Sequence, residues 1–85
     1  MDREALEYSR HARDKMSTSG IFEDDVEGTV DWPTRRCRTY DERIEHFGYS
    51  SDGRVINVVT DQSERYVITV IDVNKRSRER LRRKR

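Results

Sequence analysis

The chain has 85 residues, 32% of them hydrophobic and 41% charged, and this length allows one small domain with a modest core. Its net charge of +1 conceals a tail, Lys75–Arg85, with a net charge of +7, and a body, residues 1–74, with a net charge of −6. No apolar stretch approaches the ~18–20 residues that span a bilayer, no signal peptide is recognisable, and the single cysteine excludes an intrachain disulfide. We therefore expect a cytoplasmic protein with one domain, residues 1–74, followed by a basic tail, residues 75–85.

A first helix is predicted over residues 3–17. Apolar residues recur there at helical spacing and form one narrow stripe: Ala5, Tyr8, Ala12 and Met16. Asp2 can cap its start, and Gly20 suits the left-handed position that follows a helix.

A second, shorter helix is predicted from Glu23 to Asp31. Three acidic residues occupy its first turn, where the helix dipole favours negative charge. Val26 and Val30 are expected to face inward, and Pro33 ends the helix. Gly28 weakens its middle by about 1 kcal/mol relative to alanine, so this helix depends on packing.

The remaining sequence predicts four strands: Arg36–Tyr40, Arg43–Tyr49, Arg54–Asp61 and Tyr66–Val73. The first is short and rich in arginine, which is typical of a sheet edge. The last is nearly continuous in apolar and β-branched residues, so we expect it to be central and covered on both faces. Short loops between the last three strands predict an antiparallel meander.

The length of one loop in the stretch HFGYSSDGRVINVV decides whether His46 and Arg54 share a face of the sheet. A two-residue or four-residue loop places them on opposite faces. A three-residue loop, Ser51–Gly53, with Gly53 in the left-handed conformation, pairs His46 with Val58. In that register the side chains of His46 and Arg54 lie on the same face. Their separation of about 13 Å along the strand then permits a phosphate between them but does not require one.

Three stretches, SRHARDKMSTSGIFEDDV, HFGYSSDGRVINVV and VITVIDVNKRSRER, occur in an order that resembles the BrnT-like branch of the RelE/ParE toxin superfamily. The match is closest to a small domain-of-unknown-function family within that branch. This resemblance implies an α+β fold in which two N-terminal helices pack on a curved antiparallel sheet of three to four strands. It also implies a metal-independent endoribonuclease with an antitoxin-like protein partner. The chain departs from the pattern at Phe22, where a serine-like cap is common, and in its acidic body.

A metal-free ribonuclease needs groups that transfer protons and groups that hold the phosphate. Histidine suits the first task and arginine the second. The candidate catalytic residues are His11, Arg13, His46 and Arg54. Each has a plainer interpretation: His11 as a surface residue beside Glu7, His46 as a half-buried strand residue, and Arg54 as a residue at the rim of a turn.

Other residues carry weaker signals. Tyr40 and Tyr49 can stack on bases or donate a proton, although strands favour tyrosine for structural reasons alone. The two histidines and one cysteine match no zinc-site spacing, and no glycine-rich phosphate loop is present, so we expect neither a metal nor a cofactor.

The tail is the strongest electrostatic signal in the sequence. Clustered arginines neutralise phosphates and release counterions, which predicts salt-sensitive binding of nucleic acid. The predicted nucleic-acid-binding residues are Lys75, Arg76, Arg78, Arg80, Arg82 and Arg83. Docking on an acidic partner and self-association with the acidic body are the alternatives.

Three functions are consistent with these observations. The first is a toxin-like endoribonuclease that acts on RNA and is masked by an antitoxin-like partner. The second is a non-catalytic adaptor of the same fold that binds nucleic acid or protein. The third is one half of an obligate complex in which a partner peptide pairs with an exposed strand edge.

Overall fold

The structure, a computed structural model, describes residues 5–74. Two helices and five strands follow one another in this order: β1 Glu7–Tyr8, α1 Arg10–Ser19, α2 Glu23–Asp31, β2 Arg35–Arg38, β3 Ile44–Tyr49, β4 Val55–Thr60 and β5 Tyr66–Asp72. The strands form one mixed sheet in the spatial order β1-β5-β4-β3-β2. Both helices pack on the same face of this sheet, so the α+β prediction is confirmed.

The helix predicted over residues 3–17 is wrong in its first half. Glu7 and Tyr8 pair in parallel with β5 instead, and this pair makes a sheet of five strands rather than three to four. Ser9 then starts α1, because its Oγ accepts the Ala12 N–H at 3.0 Å. Gly20 ends the helix at φ 68°, as predicted.

The second helix and the meander match the predictions closely. Helix α2 spans Glu23–Asp31, and β2 lies at the sheet edge. At the start of α2, Phe22 has no side-chain acceptor, and the carboxylate of Asp25 compensates by accepting the Phe22 N–H at 3.3 Å. Its other oxygen accepts the Ser51 N–H at 2.9 Å, which ties α2 to the β3–β4 turn.

That turn contains a three-residue loop. The Ser50 N–H donates to the Arg54 carbonyl at 2.8 Å, and the Gly53 N–H donates to the Ser50 carbonyl at 3.0 Å. Gly53 takes the left-handed conformation at φ 85°, where a side chain would add strain. The loop therefore sets the register in which His46 pairs with Val58.

The two faces of the sheet differ in their surroundings. The helix-side face carries the sheet's contribution to the core: Ile56, Val58, Val67 and Val70, packed against Ala12, Met16, Val26 and Val30 of the helices. We call the opposite side the open face. By strand register it is formed by Arg35, Cys37, Glu45, Phe47, Tyr49, Val55, Asn57, Val59, Thr69 and Ile71.

No helix or strand of residues 5–74 covers the open face. The expectation that the last strand is central and covered on both faces is therefore wrong for β5. Strand β4 occupies the centre of the sheet, and Ile71 of β5 stays half-buried. Neither helix in the described part of the chain is long and apolar enough to cross a membrane.

Replacing Gly28 by alanine is expected to stabilise the protein by about 0.5–1 kcal/mol. Gly28 lies inside α2, and an added Cβ meets no atom within 4 Å. The measurement is the urea midpoint at constant denaturant slope. Gly48→Ala is the matched control: its Cβ would lie 3.0 Å from Oγ1 of the buried Thr29, so no gain is expected there. Equal gains at both positions would contradict this account.

Candidate functional site

His46 lies in a closed cluster of charged side chains. It is fully buried on β3, and its Nδ1 lies 2.9 Å from the Val58 carbonyl oxygen. Its Nε2 lies 3.0 Å from Oε1 of Glu64, which comes from the β4–β5 loop. Arg36, the register partner of His46 on β2, donates to both Glu64 oxygens, at 2.8 and 2.6 Å. These contacts join β2, β3 and the loop.

The cluster favours the ionised forms of Glu64 and Arg36. The Arg36 guanidinium hydrogen-bonds to the Glu64 carboxylate and, with a smaller contribution from His46, lowers its pKa from 4.5 to about 2, against the opposing effect of burial. Both ring nitrogens of His46 are within hydrogen-bond distance of protein oxygens. The loop also holds Glu64 in the left-handed region at φ 59°, which an unbranched residue adopts only at some cost.

Arg54 forms a second cluster, at the start of β4. Its Nη1 donates to the Ser19 carbonyl at 2.6 Å and to the Asp72 carboxylate at 3.0 Å. Its Nη2 donates to the Gly20 carbonyl at 3.0 Å, and its Nε lies 3.0 Å from Asp52. The carbonyls of Ser19, the last residue of α1, and of its C-cap residue Gly20 have no donor within the helix, so Arg54 caps the C-terminus of α1 from outside it. The neighbouring carboxylates raise the pKa of Arg54, with Asp52 the largest cause.

The remaining two candidates lie on the helices. Arg13 donates to Glu23 at 2.5 Å and stacks 4.3 Å from the centroid of the Tyr8 ring. This ion pair is half exposed and links α1 to the start of α2. His11 is exposed on α1. Its expected neighbour Glu7 belongs to β1 and not to the same helix.

The structure therefore does not gather the four candidates into one site. His46 and Arg54 are held by different carboxylates, Glu64 and Asp72 with Asp52, while Arg13 contacts Glu23. Three of the four already have anionic partners within the fold. Their predicted catalytic roles stay predictions.

A different cluster, of which the sequence analysis names only Tyr40 as a base-stacking candidate, lies at the outer edge of the sheet. We call it the arginine edge: Arg35, Arg38 and Arg43 on and after β2, with Trp32 and Tyr40 at its two ends. All five side chains are exposed, Trp32 by 84% and Tyr40 fully. Arg38 has no ion pair among the described residues, and Arg43 lies 3.8 Å from Asp41. In the sequence, the run RRCR indicates no more than a protected sheet edge.

The remaining predicted residues lie outside the described part of the chain. These are Lys75, Arg76, Arg78, Arg80, Arg82 and Arg83, together with the capping residue Asp2. Within residues 5–74, no three His, Cys, Asp or Glu side chains are arranged to hold a metal ion. No protein-family model, curated protein or solved structure matches the chain.

Arg54→Ala is expected to destabilise the protein by about 2–4 kcal/mol, because it leaves the buried Asp72 carboxylate and two helix-terminal carbonyls without this donor. Arg13→Ala removes a half-exposed ion pair and a contact with the Tyr8 ring, and it is expected to cost about 0.5–1.5 kcal/mol. Denaturant unfolding of both variants measures the difference. Similar losses would contradict the structural role of Arg54.

The low pKa of Glu64 predicts an acid-sensitive contribution to stability. A carboxylate whose pKa is lowered in the folded state stabilises the protein at pH values above 4.5, its pKa in the unfolded chain. This contribution is lost as the pH falls toward about 2, its pKa in the folded protein. We expect Glu64→Gln to be less stable than the wild type at pH 7 and to lose less stability on acidification. Asp14→Asn, at an exposed position of α1, should retain the wild-type pH profile. Unfolding curves between pH 7 and pH 2 test this, and parallel profiles for wild type and Glu64→Gln would refute it.

Proposed function

We propose that the protein is a non-catalytic module that binds single-stranded RNA through the arginine edge. The observation that carries this proposal is the exposure of Trp32 and Tyr40 at the two ends of an arginine-rich edge strand. Proteins that bind single-stranded nucleic acid combine cationic side chains, which follow the phosphates, with aromatic rings, on which bases stack. The α+β fold serves here as the scaffold.

The roles of the side chains follow from their chemistry. Arg38 and Arg43 contact phosphate oxygens, since a guanidinium remains charged and donates to two oxygens at once. Trp32 and Tyr40 stack on bases near the two ends of the bound segment. The basic tail adds a further electrostatic contribution, as its sequence predicts.

The burial of the other candidates favours binding over catalysis. A general acid or base has to come within hydrogen-bond distance of its substrate. His46 is fully buried, and both of its ring nitrogens already contact protein acceptors. Arg54 directs its donors to carbonyls and carboxylates of the fold. A phosphate at either residue would have to displace an anionic partner.

Trp32 is the only tryptophan of the chain, so its fluorescence reports on its own surroundings. We expect single-stranded RNA to quench this emission, and we expect the affinity to fall steeply with salt. Replacing both Arg38 and Arg43 by glutamine should weaken binding about tenfold, because two charged hydrogen-bond donors are lost.

The matched control is Arg10→Gln with Lys15→Gln. This double variant removes the same two positive charges from exposed positions of α1. Helix α1 packs on β5, which is separated from β2 by three strand spacings, or about 14 Å. Equal loss of affinity in the two double variants would show that net charge alone drives binding. Absence of quenching at a saturating RNA concentration would remove the stacking role of Trp32.

The ribonuclease implied by the resemblance has a separate test. Under the proposal, RNA incubated with the protein in EDTA stays intact while it is bound. His11→Ala changes only an exposed residue, so it should bind RNA like the wild type. Cleavage by the wild type that is lost on replacing His11 and His46 by alanine would establish the ribonuclease and overturn the non-catalytic assignment.

A further inference from the structure

The open face carries several apolar side chains and lies against no element of residues 5–74. Phe47, Val55 and Ile71 are only half-buried, and Tyr49 is 63% exposed. Register places these four side chains on adjacent strands of one face, so they form a continuous patch. Contiguous exposed apolar patches of this kind mark interaction surfaces.

Asn57 adds a polar observation at the middle of the patch. It pairs with Phe47 on one side and with Ile71 on the other, and it is only 5% exposed. Its Nδ2 donates weakly to Glu45 at 3.4 Å, but its Oδ1 has no hydrogen-bond donor. A buried carbonyl without a donor is rare in folded proteins.

Charges of both signs border the patch. Arg35 stacks 5.5 Å from the centroid of the Phe47 ring and donates to the Cys37 sulfur, but it forms no ion pair among the described residues. Glu45 accepts only the weak bond from Asn57 and also lacks an ion pair within residues 5–74. A largely apolar patch with one unpaired cation and one unpaired anion at its border can pair with a second copy of itself, because each charge then meets the opposite charge of the partner.

We propose that the open face binds a second copy of this chain in an isologous dimer. Such a dimer repeats each contact twice, so Arg35 of one protomer pairs with Glu45 of the other and the reverse pair forms as well. The basic tail is a poorer occupant, since Leu81 is its only apolar residue. Nucleic acid is also a poorer occupant, because Glu45 would repel its phosphates. The dimer does not depend on the RNA-binding proposal.

The size of the face sets the strength of the dimer. Four strands about 4.8 Å apart and six residues at about 3.3 Å each cover roughly 400 Å² per copy. Stable interfaces bury about 800 Å² per partner, so we expect a weak dimer that dissociates on dilution.

The test is sedimentation equilibrium of the full chain from about 5 µM to about 500 µM. The wild type should shift from monomer toward dimer over this range, and Tyr49→Asp should stay monomeric, because it places a charge in the interface at a position that is exposed in the monomer. Tyr40→Asp makes the same change at an exposed tyrosine outside the open face, so it should dimerise like the wild type. A monomeric wild type throughout the range overturns the proposal, and so does equal dimerisation of Tyr49→Asp.

A charge-reversal pair tests the interface without relying on one substitution. Arg35→Glu places two anions at each interface border, and Glu45→Arg places two cations there, so each variant alone should be monomeric. Mixed in equal amounts they should form a heterodimer, because every reversed residue then meets an opposite charge. Failure of the mixture to associate while the wild type dimerises would place the dimer contact elsewhere. A monomeric protein whose RNA binding is lost in Tyr49→Asp would assign the open face to nucleic acid instead.

Discussion

The fold depends on how the β3–β4 turn is held between the two helices. Arg54 donates from this turn to the Ser19 and Gly20 carbonyls at the end of α1, at 2.6 and 3.0 Å. Asp25 accepts the Ser51 N–H from the other side, at 2.9 Å, and so fixes the start of α2. The connection between the helices is thereby fastened to the sheet at both ends. Since a one-residue slip would move every side chain of β3 and β4 to the wrong face, these bonds also protect the register of the core.

Local signals were sufficient for the elements that local chemistry determines. The acidic first turn and the apolar spacing predicted α2, Gly20 predicted the end of α1, and the glycine of the loop was compatible with the observed turn. The start of α1 was missed because Glu7 pairs with Tyr66, a partner 59 positions later. A parallel strand of two residues is too short to show a strand periodicity in the sequence. The helical spacing of Tyr8 with Ala12 and Met16 therefore predicts a helix at this position.

The same limit explains the candidate site. The residue types of His46 and Arg54 suggested chemistry, but their partners come from Glu64, Asp72 and the end of α1, which the sequence places 18 to 35 positions away. Asp52, two residues before Arg54, was the one local hint of a structural ion pair. Conversely, the sequence indicates only a charged edge residue at Arg38, although Arg38 forms no ion pair within residues 5–74. Burial and pairing, which are tertiary properties, decide which cations remain available for a ligand.

The two proposed surfaces are arranged so that one does not block the other. Face-to-face packing of two open faces would cover Phe47 and Tyr49 but would leave the outer edge of β2 in solvent, because that edge points along the plane of the sheet. Each dimer would then present two arginine edges. A single RNA strand that reaches both edges binds the second one as an intramolecular event, which raises the apparent affinity without any new contact. A weak dimer is sufficient for this effect, because RNA that bridges the two copies adds its own binding free energy to their association. The apolar patch and the exposed cations would in this way act together, with Arg35 paired across the dimer and Arg38 and Arg43 left to contact the RNA.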